Sequence, residues 1–167
     1  MELNVVGKFV SGLAIAAASL CPLHAPVQAR GSETASAGPS LEGTWVVSIK
    51  LVNCETGDQL APPFVSLLTF AHGGTLTEST SAPAFFPAVR EPAHGVWSET
   101  GANEYRASML ALITMNGALQ KKQIITQRIE LNEDGDSFSS AAAIQFRSPA
   151  NSLLMKGCAD AEGKRFE

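Results

Sequence analysis

His94 is the residue best equipped for acid–base chemistry, because an unperturbed imidazole titrates close to neutral pH. Glu78, Arg90 and Tyr105 are its candidate partners: a carboxylate to orient the ring, and a guanidinium or phenol to stabilise developing charge. Such a set would suit an isomerase or cyclase folding a hydrophobic substrate. Nothing in the spacing enforces it. The chain has no Gly-x-Ser-x-Gly, no His-Glu-x-x-His and no phosphate loop. A histidine directly before Gly95-Val96-Trp97 reads more simply as a hydrogen-bonded turn residue, and a haem-ligand role has no second feature behind it. No cofactor is expected, and the balance lies away from an enzyme.

A second group could bind rather than react. Lys121, Gln123 and Gln127 share one face of a strand with Ile125, and Phe146 falls on the same face of the next strand. A few polar side chains in an apolar wall are what orient a bound ligand; the alternative is that this strand runs past the wall and its polar residues sit in water. Phe85 and Phe86 lie in a proline-stiffened stretch, Ala82 to Ala93, that has no strand periodicity. They either cover the mouth of a cavity or pack on the outside, with Arg90, Glu91 and His94 close behind.

The elements that must position these residues are strands. Alternation runs through Thr44–Asn53, Phe64–Ala71, Thr75–Ser81, His94–Thr100, Tyr105–Thr114, Gln120–Leu131, Ser137–Arg147 and Ser152–Cys158. Gly73-Gly74, Asn116-Gly117, Asp134-Gly135 and Pro149-Ala150-Asn151 supply the turns. Ala107–Ala118 has some helical character, but its flanks favour a strand. About eight strands joined by tight turns form an antiparallel meander that closes or stacks, and closure removes exposed edges. The expectation is an all-β, up-and-down barrel, with a two-sheet sandwich as the rival.

Residues 1–29 read as an export signal: one lysine, an apolar run from Phe9 to Cys21, and Val27-Gln28-Ala29 as the cleavage site. That run is too short to cross a bilayer, which takes about 20 residues. Leu20 before Cys21 argues against a lipid anchor without settling it. Residues 30–40 are small and polar, a disordered leader, and 41–167 form the barrel domain. The mature protein is expected to be secreted or periplasmic. The net charge of −4, with no basic run longer than Lys121-Lys122, argues against nucleic acid. Oligomeric state is left open. Of three cysteines, Cys54 and Cys158 remain after cleavage and are expected to form a disulfide; with no Cys-x-x-Cys or paired histidines, no metal site is expected.

Gly43-Thr44-Trp45 at the head of the first strand resembles the Gly-x-Trp signature of lipocalins, in which the Trp closes the barrel floor beneath an Arg from the last strand. The resemblance implies a container for a small apolar or amphipathic molecule. If Cys54 lies opposite Cys158, paired residue numbers sum to about 212, Val47 faces Arg165 and Trp45 faces Glu167, with Arg165 over the Trp45 ring. Gly43-Thr44-Trp45, Asn53-Cys54, Phe70–Thr77, Gly95-Val96-Trp97, Tyr105-Arg106-Ala107 and Gly157-Cys158 also resemble a group of uncharacterised exported bacterial proteins. That second resemblance implies no activity. A protein-interaction module presenting Phe85-Phe86 is the remaining alternative.

Overall fold

The computed structural model describes residues 38–81 and 85–166. The expected signal, its cleavage site, Cys21 and most of the leader lie outside them. The strands are β1 (Gly43–Val52), β2 (Phe64–Ala71), β3 (Thr75–Thr80), β4 (Val89–Arg90), β5 (Ala93–Gly101), β6 (Glu104–Met115), β7 (Ala118–Leu131), β8 (Ser137–Arg147) and β9 (Leu153–Arg165). The pairings are antiparallel, each strand lying beside the next except that β3 pairs with β5, and β9 pairs with β1 to close the barrel. The short β4 lies on β6 just beyond the end of β5, and the Glu91 N–H donates to the Leu112 carbonyl at 2.9 Å. With Pro92 unable to donate, β4 and β5 act as one interrupted strand, and the barrel has eight staves.

Alternation decides each stave. In β6, Tyr105, Ala107, Met109, Ala111 and Ile113 are buried while the residues between them are exposed. This period of two overrides the helical propensity of its alanines, leucines and methionines. Asn116 and Gly117 both take positive φ, which a two-residue hairpin with the twist of its strands demands. Residues 82–93 show no strand periodicity in sequence, yet they contain a two-residue strand, β4, between Pro87 and Pro92, too short to show a period.

The core gathers at one end. Trp45, Phe70 and Phe138 meet edge to face, with Trp45 and Phe138 centroids 5.0 Å apart and Phe70 and Phe138 6.3 Å apart. Trp97 bridges Phe70 and Tyr105 at 5.8 Å from each. Leu41 plugs the floor from below, and its carbonyl accepts the Trp45 indole N–H at 2.9 Å. Gly163, between Val47 and Phe138 on the inner wall, makes the room: a Cβ there would lie 2.2 Å from the Phe138 ring.

The Cys54–Cys158 disulfide is present, with Cα atoms 5.2 Å apart across 104 residues. In the chain-entropy account, closing so long a loop contributes about 4–5 kcal/mol. The register differs from the expected one by two residues. Val52, not Cys54, faces Cys158, so Trp45 faces Arg165 and Val47 faces Gly163. The reason is local: the Asn53 side chain accepts the backbone N–H groups of Glu55 and Thr56 at 2.8 and 3.2 Å, turning the chain off the ladder before Cys54. Cys54 then reaches back from the turn. A slip of two leaves every side chain on its face, and the Arg165 guanidinium carbon lies 4.3 Å from the Trp45 ring centroid.

Gly163→Ala is expected to destabilise by about 1–3 kcal/mol, because Phe138 is wedged between two rings and cannot retreat. Gly157→Ala meets Ile144 at an ordinary 3.9 Å and is expected to stay within about 1 kcal/mol of the parent. Urea denaturation of the two variants checks the contrast. Burial, and secondarily Glu99, raise the Tyr105 phenol above its ordinary value, opposed by a hydrogen bond with the Leu41 backbone. Its stabilising contribution is complete below the unfolded value of about 10 and is lost as pH rises through the folded one. Tyr105→Phe should therefore flatten the alkaline fall in denaturation midpoint.

Candidate functional site

Above the aromatic floor, the inner wall turns polar. On β3 the inward phase set by Leu76 carries Glu78, which faces Leu68 on β2 and Ala93 on β5. Arg90, opposite Ile113, points inward from β4. Their side chains are 3% and 5% exposed, and Arg90 Nη2 donates to Glu78 Oε2 at 2.5 Å. Arg90 Nε donates to Gln123 Oε1 on β7 at 2.5 Å. The Ser66 hydroxyl, 2.6 Å from Glu78 Oε1 and 2.9 Å from the Ser79 carbonyl, completes the group. An isolated ion so far from water would cost several kcal/mol, so each of these two charges requires the other.

The pair also sits at a gap. Backbone pairing of β3 with β5 runs only from Thr75–Val96 to Glu78–Ala93 and stops there. The Glu78–Arg90 contact spans the wall where hydrogen-bonded ladder ends.

Among the described residues, three inward-facing polar atoms in this middle zone are buried without a partner: Arg90 Nη1, Gln127 Nε2 and Ser140 Oγ. All three can donate hydrogen bonds, and buried polar groups are normally satisfied. Around them the wall is small or aliphatic: Gln127 faces Ala107 and Ala142, and Ser140 faces Ile129 and Ala161. Towards the open end, Phe146 carries Phe85 on one side, centroids 6.3 Å apart, and the Lys121 ammonium 5.6 Å from its centroid. Ile125, between Met109 and Ile144, packs against the core below.

Among the residues singled out from sequence, Lys121, Gln123, Ile125 and Gln127 thus share the inner face of β7, and Phe85 and Phe146 meet at the mouth. Phe86 turns away and is 89% exposed. The proposed acid–base set is split. Glu78 and Arg90 are together inside and Tyr105 is at the floor, whereas His94 faces Thr77 and Leu110 on the outer surface. There it lines a shallow outer groove with Glu91, Pro92, Leu110 and Leu112. A second groove, of about 380 Å³, also opens on the outside, among Lys50, Arg128, Glu130, Asp160 and Glu162.

Sequence reading missed Ser66, Ser140 and the pairing of Glu78 with Arg90. Glu78 carried a usable signal, a charged residue two positions after Leu76 in an alternating strand. Arg90 carried none, because two residues of strand give no period. Among the described residues, no group of His, Cys, Asp or Glu could hold a metal ion, and no helix is long and apolar enough to cross a membrane. The closed eight-stave architecture is compatible with a calycin-like fold. Comparison with protein-family models, with curated proteins and with solved structures finds no match.

Breaking the buried pair by Glu78→Gln or Arg90→Met alone is expected to cost about 3–5 kcal/mol. The double variant Glu78→Leu/Arg90→Met should lose far less than the two single losses together. Urea denaturation in a double-mutant cycle reads the coupling, and additive losses would show that neither charge depends on the other.

Proposed function

We propose that this protein is an exported container that holds a small apolar or amphipathic molecule inside the barrel, entering at the end where Phe85 and Phe146 meet. The observation that carries this reading is the set of buried donors without partners, Arg90 Nη1, Gln127 Nε2 and Ser140 Oγ, spread around an apolar wall. They suit a ligand whose polar group accepts hydrogen bonds while its apolar body lies against the inner aliphatic residues. Further support comes from inward residues above the floor, Ile49, Ile125, Ala142 and Phe146, which are only partly buried, unlike Trp45 and Phe70 beneath them. The disulfide, in a chain that opens with a signal-like sequence, is compatible with a secreted or periplasmic location. His94 lies on the outer face and cannot act as a base inside the lumen.

A fluorescent fatty-acid analogue, carrying an acceptor head on an apolar chain, is the test ligand. The parent protein should bind it with a blue-shifted emission. Gln127→Leu should weaken binding about tenfold by removing one donor. It should leave stability equal or higher, because it also removes a buried atom that lacks a partner. Absence of binding by the parent, or equal binding by the variant, overturns the reading.

A further inference from the structure

The two ends of the barrel differ in their hairpin tips, although Phe166 at the closed end is also 64% exposed. The closed end presents carboxylates, among them Glu133, Asp134 and Asp136 on the β7–β8 hairpin. The open end exposes large apolar side chains: Phe86 at 89%, Val89 at 56%, Met115 at 37%, Leu153 at 47%, Leu154 at 58% and Met155 at 54%. These are neighbours. Val89 pairs with Thr114 beside Met115, and the β6–β7 and β8–β9 hairpins adjoin through Lys122 opposite Arg147 and Arg147 opposite Leu153. The Lys122 ammonium donates to Asn151 Oδ1 at 2.8 Å, tying the two tips together.

Charge is one-sided on these two hairpins, although the same end also carries Glu55 and Asp58 in the loop after β1 and Glu91 beside Thr114. Residues 115–122 and 147–156 contain Lys121, Lys122, Arg147 and Lys156 and no carboxylate, in a chain whose net charge is −4. Among the described residues none of these four cations is ion-paired; the ion pairs are Lys50–Glu162, His72–Glu42 and Arg90–Glu78. Two apolar hairpin tips whose cations stand outside any ion pair, with Arg147 held by Gln145 and the Asn151 carbonyl, have the composition of an interfacial membrane contact, in which apolar tips enter the headgroup region and cations meet lipid phosphates.

We infer that the open end docks on an anionic lipid bilayer, with Leu153, Leu154 and Phe86 entering the interface and Lys122, Arg147 and Lys156 contacting phosphate. The inference goes beyond the container reading and does not depend on it, since the rim stands whether or not the lumen holds a ligand.

Flotation of the full chain with vesicles of phosphatidylcholine alone, or of phosphatidylcholine mixed with phosphatidylglycerol, tests it. The chain should favour the mixed vesicles, and added salt should weaken binding. Lys122→Gln/Lys156→Gln should lower partitioning about 25-fold, roughly fivefold per charge. Leu154→Asp should lower it roughly tenfold. All these side chains lie at the surface, and far-UV circular dichroism confirms that the variants fold. As a readout that no other segment can mimic, Leu154→Trp should add emission that brominated lipid quenches. Equal binding to both vesicle types, unchanged binding by the variants, an unquenched Leu154→Trp, or a rim that instead pairs two copies of the chain would each overturn the inference.

Discussion

Everything inside this barrel depends on where its last strand meets its first, and Arg165 fixes that meeting. Its guanidinium lies over the Trp45 ring while Nε donates to the Gly135 carbonyl, Nη1 to Glu42 and Nη2 to Ser40, at 2.7–2.8 Å. One side chain therefore joins the entering chain, the first strand, the last strand and the β7–β8 turn. A guanidinium suits this task because its planar fork offers several donors in fixed directions and stacks on an aromatic face. With Trp45 directly opposite Arg165, the inner face of β1 is set, and antiparallel pairing carries the same phase around to Gln123 and Gln127 on β7.

The parity of that phase was legible in the sequence, and the offset was not. Thr44 to Val52 alternates cleanly, so assigning Trp45 to the inside also assigns Val47, Ile49 and Leu51. Taking Cys54 as a ladder residue placed the register two positions away. Asn53 holds the discrepancy, since its side chain caps the turn, and an asparagine before a cysteine does not declare which of them leaves the sheet. Because the slip was even, the aromatic floor and the β7 face were still correctly placed.

The interior polar group was less legible for a related reason. Gln123 and Gln127 stand in a long alternating strand and reveal their direction, whereas Arg90 belongs to a fragment whose orientation only its partner strand determines. His94 shows the opposite failure. Its imidazole drew attention for its chemistry, but direction along a strand is decided by neighbours, and Thr77 and Leu110 place it outside. Reactive residue types are visible one at a time; their convergence depends on registers that pass through bulges, and here through Pro92.

The barrel is clamped twice along the line joining its chain ends, by Arg165 at the closed end and by the disulfide at the other. In most meanders that line is the natural place to come apart. Here the shortest ladder between neighbouring staves is instead β3 with β5, where a few backbone pairs give way to a single ion pair between side chains. Mechanically, the molecule is a hoop whose weld is stronger than its rim. Outward strain on the barrel would part the wall between Glu78 and Arg90 before it separated the first strand from the last.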